Sequence, residues 1–393
     1  MDYEGDLALG IVEEAFNALC HHHSVLRARV ERDDGGYLLH VPPGHVPEIC
    51  NLSGTGQTLR QSIIHRPHYS SSLARLLVVR GDGSGQLALQ LNHAVFDSQA
   101  AMYLLNEFWK SYTSIRNGED ISRLTPEALP ASPSKYMTAF WDDTDLRVQD
   151  TMSADRAGDP SKLDREDFNS LPHEFRIRFS EQETRFLLHV CKEENASLHA
   201  VVSGALVLAF RNYRAHEDRS SRRNITCYSL VDVRNKLVPP LAPTETALVF
   251  FRSRADVSVG LEDPAITIGK KIKNQLDNDI ARRLSSTSER PTLRRPQTLS
   301  HLNQQNMKES QSLAVNNGGA IPPFRLPNDL NIADLKFIPD VTVNPLLSKE
   351  PWPSFTVYSY NQRLTIDGRF SSLSFSVNDV ASIRGFFRRA LPI

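Results

Sequence analysis

Leu7, Ile11, Ala15 and Leu19 recur at helical spacing, with Val12 and Phe16 beside them, and predict an amphipathic helix over residues 7–20. The pattern then turns strand-like over Val25–Val30, breaks at Asp33-Asp34-Gly35-Gly36 and resumes over Tyr37–Val41. Ala74–Arg80 is a further apolar strand. Gly81-Asp82-Gly83-Ser84-Gly85 reverses it into Gln86–Leu91, where Leu87, Leu89 and Leu91 share one face. A helix is predicted to follow from about Gln99 to Tyr112.

Residues 141–172 lose this rhythm. They are Asp-rich and polar, with Gly158 and Pro160, and read as a linker. The expected division is a first lobe over 1–150, a linker over 151–172 and a second lobe over 173–393. The second lobe opens on a strand, Glu174–Phe179, followed by Ser180 and Glu183 at capping-box spacing and a helix to about Lys192. Ser197 caps a helix over Leu198–Tyr213 whose apolar content predicts burial on most sides. Strands near Thr226–Val233 and Ala247–Arg254 precede a helix near 264–282. Residues 283–324, rich in Ser, Arg, Asn, Gln and Pro, read as a long exposed crossover. Phe355–Tyr360 and Leu364–Arg369 form a hairpin around Asn361-Gln362, and a last helix starts near Ser376 with Asp379 at the capping-box position. The fold class is therefore mixed α/β (α+β) with hairpin-linked strands, not a doubly wound sheet. No repeat of fixed period is visible, although the two halves share a coarse strand–helix–strand rhythm.

Composition narrows the function classes. The chain has 393 residues, 40% of them hydrophobic, enough for two or three cores or one two-lobed unit. Lys and Arg number 45 against 46 Asp and Glu, a net charge of −1 that argues against nucleic-acid binding. No stretch reaches the about 18–20 apolar residues of a membrane helix, and the acidic start Met-Asp-Tyr-Glu-Gly-Asp is unlike a signal peptide. Cys20, Cys50, Cys191 and Cys227 lie far apart, so neither a zinc cage nor a disulfide framework is expected. A soluble, cytoplasmic, monomeric protein is the expectation, with no nucleic-acid or membrane partner.

The chemistry concentrates in Leu89-Gln90-Leu91-Asn92-His93-Ala94-Val95-Phe96-Asp97-Ser98. An alternating strand runs into a histidine, an aspartate follows four residues later, and a helix begins. A strand end can hold a polar group at a cleft, and an imidazole there can take a proton from a hydroxyl or amine. Asp97 reaches His93 only if the turn folds back. An ion pair that fixes the turn is equally compatible with this spacing. Elsewhere the bland readings win. His21-His22-His23 cannot all face one ion on a helix, so these residues read as structural and no metal is expected. His65 and His68 read as surface residues, Arg282-Arg283 to Arg294-Arg295 as a solvated run, and Asp142, Asp143 and Asp145 lack calcium-loop spacing.

Asn92-His93-Ala94-Val95-Phe96-Asp97-Ser98 resembles the H-H-x-x-x-D-G motif of condensation domains and of the chloramphenicol-acetyltransferase-like acyltransferases, and is closest in flavour to fungal condensation-like and stand-alone enzymes. Further segments fit in order. They are His22–Val30, Leu230-Val231-Asp232-Val233-Arg234-Asn235 followed by Pro239-Pro240, and the closing strand–strand–helix. The resemblance implies two chloramphenicol-acetyltransferase-like lobes with a central tunnel. It implies an acyltransferase with no bound cofactor that uses acyl-CoA or a phosphopantetheinyl thioester as co-substrate. A small-molecule acceptor enters opposite, and an acyl or peptidyl carrier protein is a candidate partner. By the same resemblance His93 is the general base, and Asp97 with Arg234 supports it structurally. Asn92, Ser98 and Tyr358 are candidate oxyanion or channel contacts. Asn92 stands where the first motif histidine would be, and Ser98 where the glycine would be. Only about six residues precede the first helix, where the family carries a strand, so the expectation is either a truncated chain or a fold that lacks that strand. Two alternatives stay open on sequence: a condensation-like cyclase acting on a bound polyketide or peptide, and a binding module without turnover.

Overall fold

The computed structural model describes residues 1–33, 36–54, 59, 62–63, 72–93, 95–121, 125–131, 135–136, 172–216, 221–242, 245–247, 249–285, 312–338, 353–372 and 374–393. The expected linker falls outside these residues apart from Pro172, as do His65, His68, the Asp142–Asp145 cluster and Arg294-Arg295. The chain forms two compact units. The first comprises Met1–Lys135, Leu237–Val249 and Pro322–Thr342, and the second Tyr136–Lys236, Phe250–Ile321 and Val343–Ile393.

The first unit carries a five-stranded sheet. Its strands are β1 (Asp2–Glu4), β4 (Ile49–Leu52), β5 (Ala74–Arg80), β6 (Ser84–Leu91) and β11 (Asn331–Asp334), in the order β11-β1-β6-β5-β4. The β5–β6 hairpin runs in register from Ala74–Leu91 to Arg80–Gly85, as its alternation predicts. The expectation of a missing first strand is corrected. Residues 2–4 pair with both β6 and β11, and Tyr3 is buried with its hydroxyl donating to the Val79 carbonyl at 3.3 Å. Gly85 makes that possible, because a Cβ there would stand 2.3 Å from the Tyr3 hydroxyl. Three residues with one apolar side chain are too short for a periodicity signal. A separate hairpin pairs β2 (Arg29–Asp33) with β3 (Gly36–His40). Residues 24–27 form a 3₁₀ turn instead of the expected strand start, because the consecutive Val25 and Leu26 are both buried and cannot alternate across a sheet. Helix α1 (Leu9–His22) packs on α2 (Ser98–Arg116) through Val12, Phe16 and Leu19 and through the buried Leu104, Phe108 and Tyr112. The Tyr112 hydroxyl accepts the Ala8 N–H at 3.0 Å, satisfying one of the unpaired N–H groups at the start of α1.

The second unit holds a six-stranded mixed sheet in the order β7-β13-β12-β10-β8-β9. Its strands are β7 (His173–Arg178), β8 (Arg222–Asp232), β9 (Phe250–Gly260), β10 (Ser312–Ile321), β12 (Ser354–Tyr360) and β13 (Arg363–Phe370). Among the described residues four helices accompany them: α3 (Glu181–Glu193), α4 (Leu198–Tyr213), α5 (Ala265–Ser285) and α6 (Val377–Ala390). Both expected capping boxes form, at Ser180/Glu183 and Ser376/Asp379. Every residue of α4 from Ala200 to Arg211 is buried, as its unbroken apolar run predicts. The crossover reading of 283–324 is corrected at its end, where β10 lies inside the sheet, parallel to both β8 and β12. Only Leu313, Val315 and Ile321 are large apolar residues there, and Asn316-Asn317-Gly318-Gly319 hides the strand behind turn-type residues and a register shift.

His199, in the first turn of α4, sets its Nε2 2.9 Å from the Ser229 hydroxyl of β8, which ties helix to sheet. Burial, helped by Lys273, pushes the imidazole down to about 4. Its folded value lies below the unfolded one, so the unfolded chain binds the extra proton first. Its contribution is present above about pH 6.5 and is lost as the pH falls toward 4. Thermal melts should therefore drop through that window, and His199→Gln should flatten the drop. An unchanged slope in the variant would contradict this.

Candidate active site

The candidate site grows out of the end of β6. Asn92 donates its N–H to Leu73, and its carbonyl accepts the N–H groups of both Val95 and Phe96 at 3.1 Å. The chain therefore doubles back within four residues. Phe96 is buried and anchors the turn, while Asp97 caps α2, its Oδ1 accepting the Ala100 N–H at 3.0 Å. His93 projects exposed at the crest. Its Nδ1 lies 2.8 Å from the Phe96 carbonyl oxygen. A carbonyl only accepts, so Nδ1 carries the proton and the neutral ring presents Nε2 as the basic nitrogen.

The second unit builds the same turn without a histidine. After β13 the Ser371 carbonyl accepts the N–H groups of Ser374 and Phe375 at 3.0 Å, Phe375 is buried, and Ser376 caps α6. Ser372 stands where His93 stands, and Ser376 where Asp97 stands. The structure thus contains a repeat that the sequence does not display, because only the buried phenylalanine and a capping residue recur. Since a serine serves this turn equally well, folding of the turn does not require an imidazole at 93.

Asn92, His93, Asp97 and Ser98 are brought together in this one turn of the first unit, with Asn92 and Ser98 half-buried beside the histidine. Arg234 and Tyr358 lie in the second unit. Arg234 is buried in the 3₁₀ turn after β8, where Asp232 accepts its backbone N–H at 2.8 Å and its guanidinium at 3.3 Å. Tyr358 is buried on β12, its hydroxyl donating to Asp367 and accepting from Arg176, both at 3.0 Å. Reasoning from sequence missed the Phe96 carbonyl. It fixes the histidine tautomer through the backbone and so leaves no mark in residue type. Burial pushes the thiols of Cys20, Cys191 and Cys227 up, Cys227 to about 12, so none of these three is a ready thiolate.

A model for the family described as phthiocerol/phthiodiolone dimycocerosyl transferase C-terminus matches residues 169–369, just over half of the chain. The chain belongs to that family. Over 297 residues this family member is 26% identical to the phthiocerol/phthiodiolone dimycocerosyl transferase of Mycobacterium leprae (strain TN), across 70% of the chain and 68% of that protein. In fold it is similar to polyketide synthase associated protein 5 from Mycobacterium tuberculosis, with a TM-score of 0.71 at 21% identity, covering 100% of this chain and 92% of the other. It is also similar to the first condensation domain of the CDA synthetase, with a TM-score of 0.64 at 13% identity over 100% and 89% of the two chains. The transferase therefore has the fold that condensation domains share. It is an acyltransferase of lipid or natural-product biosynthesis. No helix among its described residues is long and apolar enough to cross a membrane.

Proposed function

We propose that this transferase forms an ester by moving an acyl group from a thioester, on CoA or on a carrier protein, to the hydroxyl of a lipid or polyketide alcohol, with His93 as general base. One observation carries the reading: the Phe96 carbonyl holds the Nδ1 proton and leaves Nε2 basic on an exposed ring. Nε2 takes the hydroxyl proton as the oxygen attacks the thioester carbonyl. The carbon–oxygen bond forms, the carbon–sulfur bond breaks, and the proton passes from Nε2 to the departing sulfur. No group of the enzyme is acylated. The Nδ1–H to carbonyl bond strengthens as the ring becomes imidazolium, which favours the proton transfer. The family membership and the names of the relatives support the hydroxyl acceptor and the lipid class. Asn92 and Ser98 are offered as contacts to the reacting carbonyl, and Tyr358 as a positioning residue.

Asp97 with Arg234 as a supporting ion pair rests on the resemblance to the family. It makes a distinct prediction from capping alone. Asp97→Ala loses the cap, about 1 kcal/mol in a denaturant melt, whereas Asp97→Asn keeps it. The pair predicts that Asp97→Asn also loses stability and turnover, and that Arg234→Met is no worse in the Asp97→Asn background than alone. Wild-type behaviour of Asp97→Asn would remove the pair and leave the cap.

The reading is tested by giving the purified protein a long-chain acyl-CoA and a long-chain diol, then following free thiol and ester mass together. Stoichiometric release of both supports it. Isomerisation of a polyketide without any thioester would instead make the protein a cyclase.

A further inference from the structure

The three consecutive histidines read as structural because neighbours on a helix diverge. That objection fails for two of them, because α1 ends at His22 and His23 lies beyond it at φ −91°, ψ 89°. The two rings then approach with centroids 4.6 Å apart, and both face Glu127. Glu127 Oε1 is 3.4 Å from His22 Nε2, and Oε2 is 2.9 Å from His23 Nδ1. One nitrogen from each ring and a carboxylate oxygen lie within 4.8 Å of one another.

The hydrogen bonds around the cluster fix what these atoms are. His22 Nδ1 is 2.7 Å from the Thr125 carbonyl and must donate to it, so a neutral His22 turns a bare Nε2 toward the carboxylate oxygen. Two acceptors then face each other across 3.4 Å, an arrangement that calls for positive charge between them. An imidazole whose other nitrogen donates to a backbone carbonyl is also the usual state of a metal-bound histidine. His23 is 1% exposed, and its Nε2 has no partner among the described residues, so nothing there dictates its tautomer. Its Nδ1 can donate to Glu127 or offer a lone pair instead. The backbone is already closed around the cluster, with the Glu127 N–H donating to the His22 carbonyl at 2.7 Å. The Glu127 side chain is 43% exposed, which leaves an entry path.

We propose that His22, His23 and Glu127 form a three-ligand site for a zinc-class divalent cation that fastens the 125–127 segment to the end of α1. Two imidazoles and one carboxylate suit zinc or cobalt, with the fourth position open to water. The site uses none of the residues at the His93 turn.

Zinc titrated into the untagged full-length protein, in competition with a chromophoric chelator, should show one equivalent bound. Cobalt should give the visible absorption of a four-coordinate ion. The half-exposed His22→Gln and Glu127→Gln variants, checked for folding by circular dichroism, should each weaken zinc at least ~10-fold, the smallest loss expected even for an outer-shell partner of a metal ligand. His21→Gln should bind as the wild type. Failure to compete with the chelator, or unchanged binding in both ligand variants, would overturn the site and leave a protonated His22 as the charge between the acceptors.

Discussion

His93→Ala should lower the rate of ester formation at least ~100-fold, within the range a positioned general base supplies. The loss should fall on kcat, because the base acts in the transition state and contributes little to holding either substrate. Stability should be nearly unchanged. The ring is exposed, and Ser372 closes the equivalent turn of the second unit without it. His93→Asn is the sharper variant, since its amide nitrogen stands where Nδ1 stands and can still donate to the Phe96 carbonyl but cannot accept a proton near neutral pH. A folded His93→Asn protein with wild-type kcat would remove histidine from the chemistry.

Gly269→Val should unfold the second unit under conditions where the wild type is stable. Helices α4 and α5 touch backbone to backbone at Gly204 and Gly269. A Cβ at Gly204 would lie 2.0 Å from the Ala265 carbonyl oxygen, and one at Gly269 would lie 2.0 Å from that of Ala200. Neither obstacle is the end of a flexible side chain, so the helices must separate. That separation lifts α4, buried from Ala200 to Arg211, away from its neighbours. Overpacking of this kind costs about 3 kcal/mol or more. Gly10→Ala is the control, because nothing lies within 4 Å of its Cβ position and α1 gains helix propensity. A Gly269→Val melt within a degree or two of wild type would show that this contact is not as close as described.

Sequence reading succeeded where one local signal sufficed. Ser180 with Glu183, Ser376 with Asp379 and Ser197 before an apolar run each announce a helix start through their own hydrogen-bonding geometry. The β5–β6 hairpin follows equally from alternation and a glycine-rich turn. It failed where the determinant lies far away in the chain. β10 is a strand because β8 and β12 flank it, although its own residues favour a turn. β1 exists because a glycine eighty-two residues away leaves room for one tyrosine ring. At the site, residue types located His93 and Asp97 within one short motif. The role of the Phe96 carbonyl and the matching turn at Ser371–Ser376 needed coordinates, because backbone groups carry no residue signature.

The account stands on which nitrogen of His93 holds the proton. Nitrogen-15 spectra of imidazole-labelled protein, with the signal assigned by its loss in His93→Asn, read this directly. The predicted result for the neutral ring is a protonated Nδ1 and a bare Nε2. A protonated Nε2 with a bare Nδ1 would contradict the account, since such a ring could not take the acceptor's proton through the nitrogen it presents.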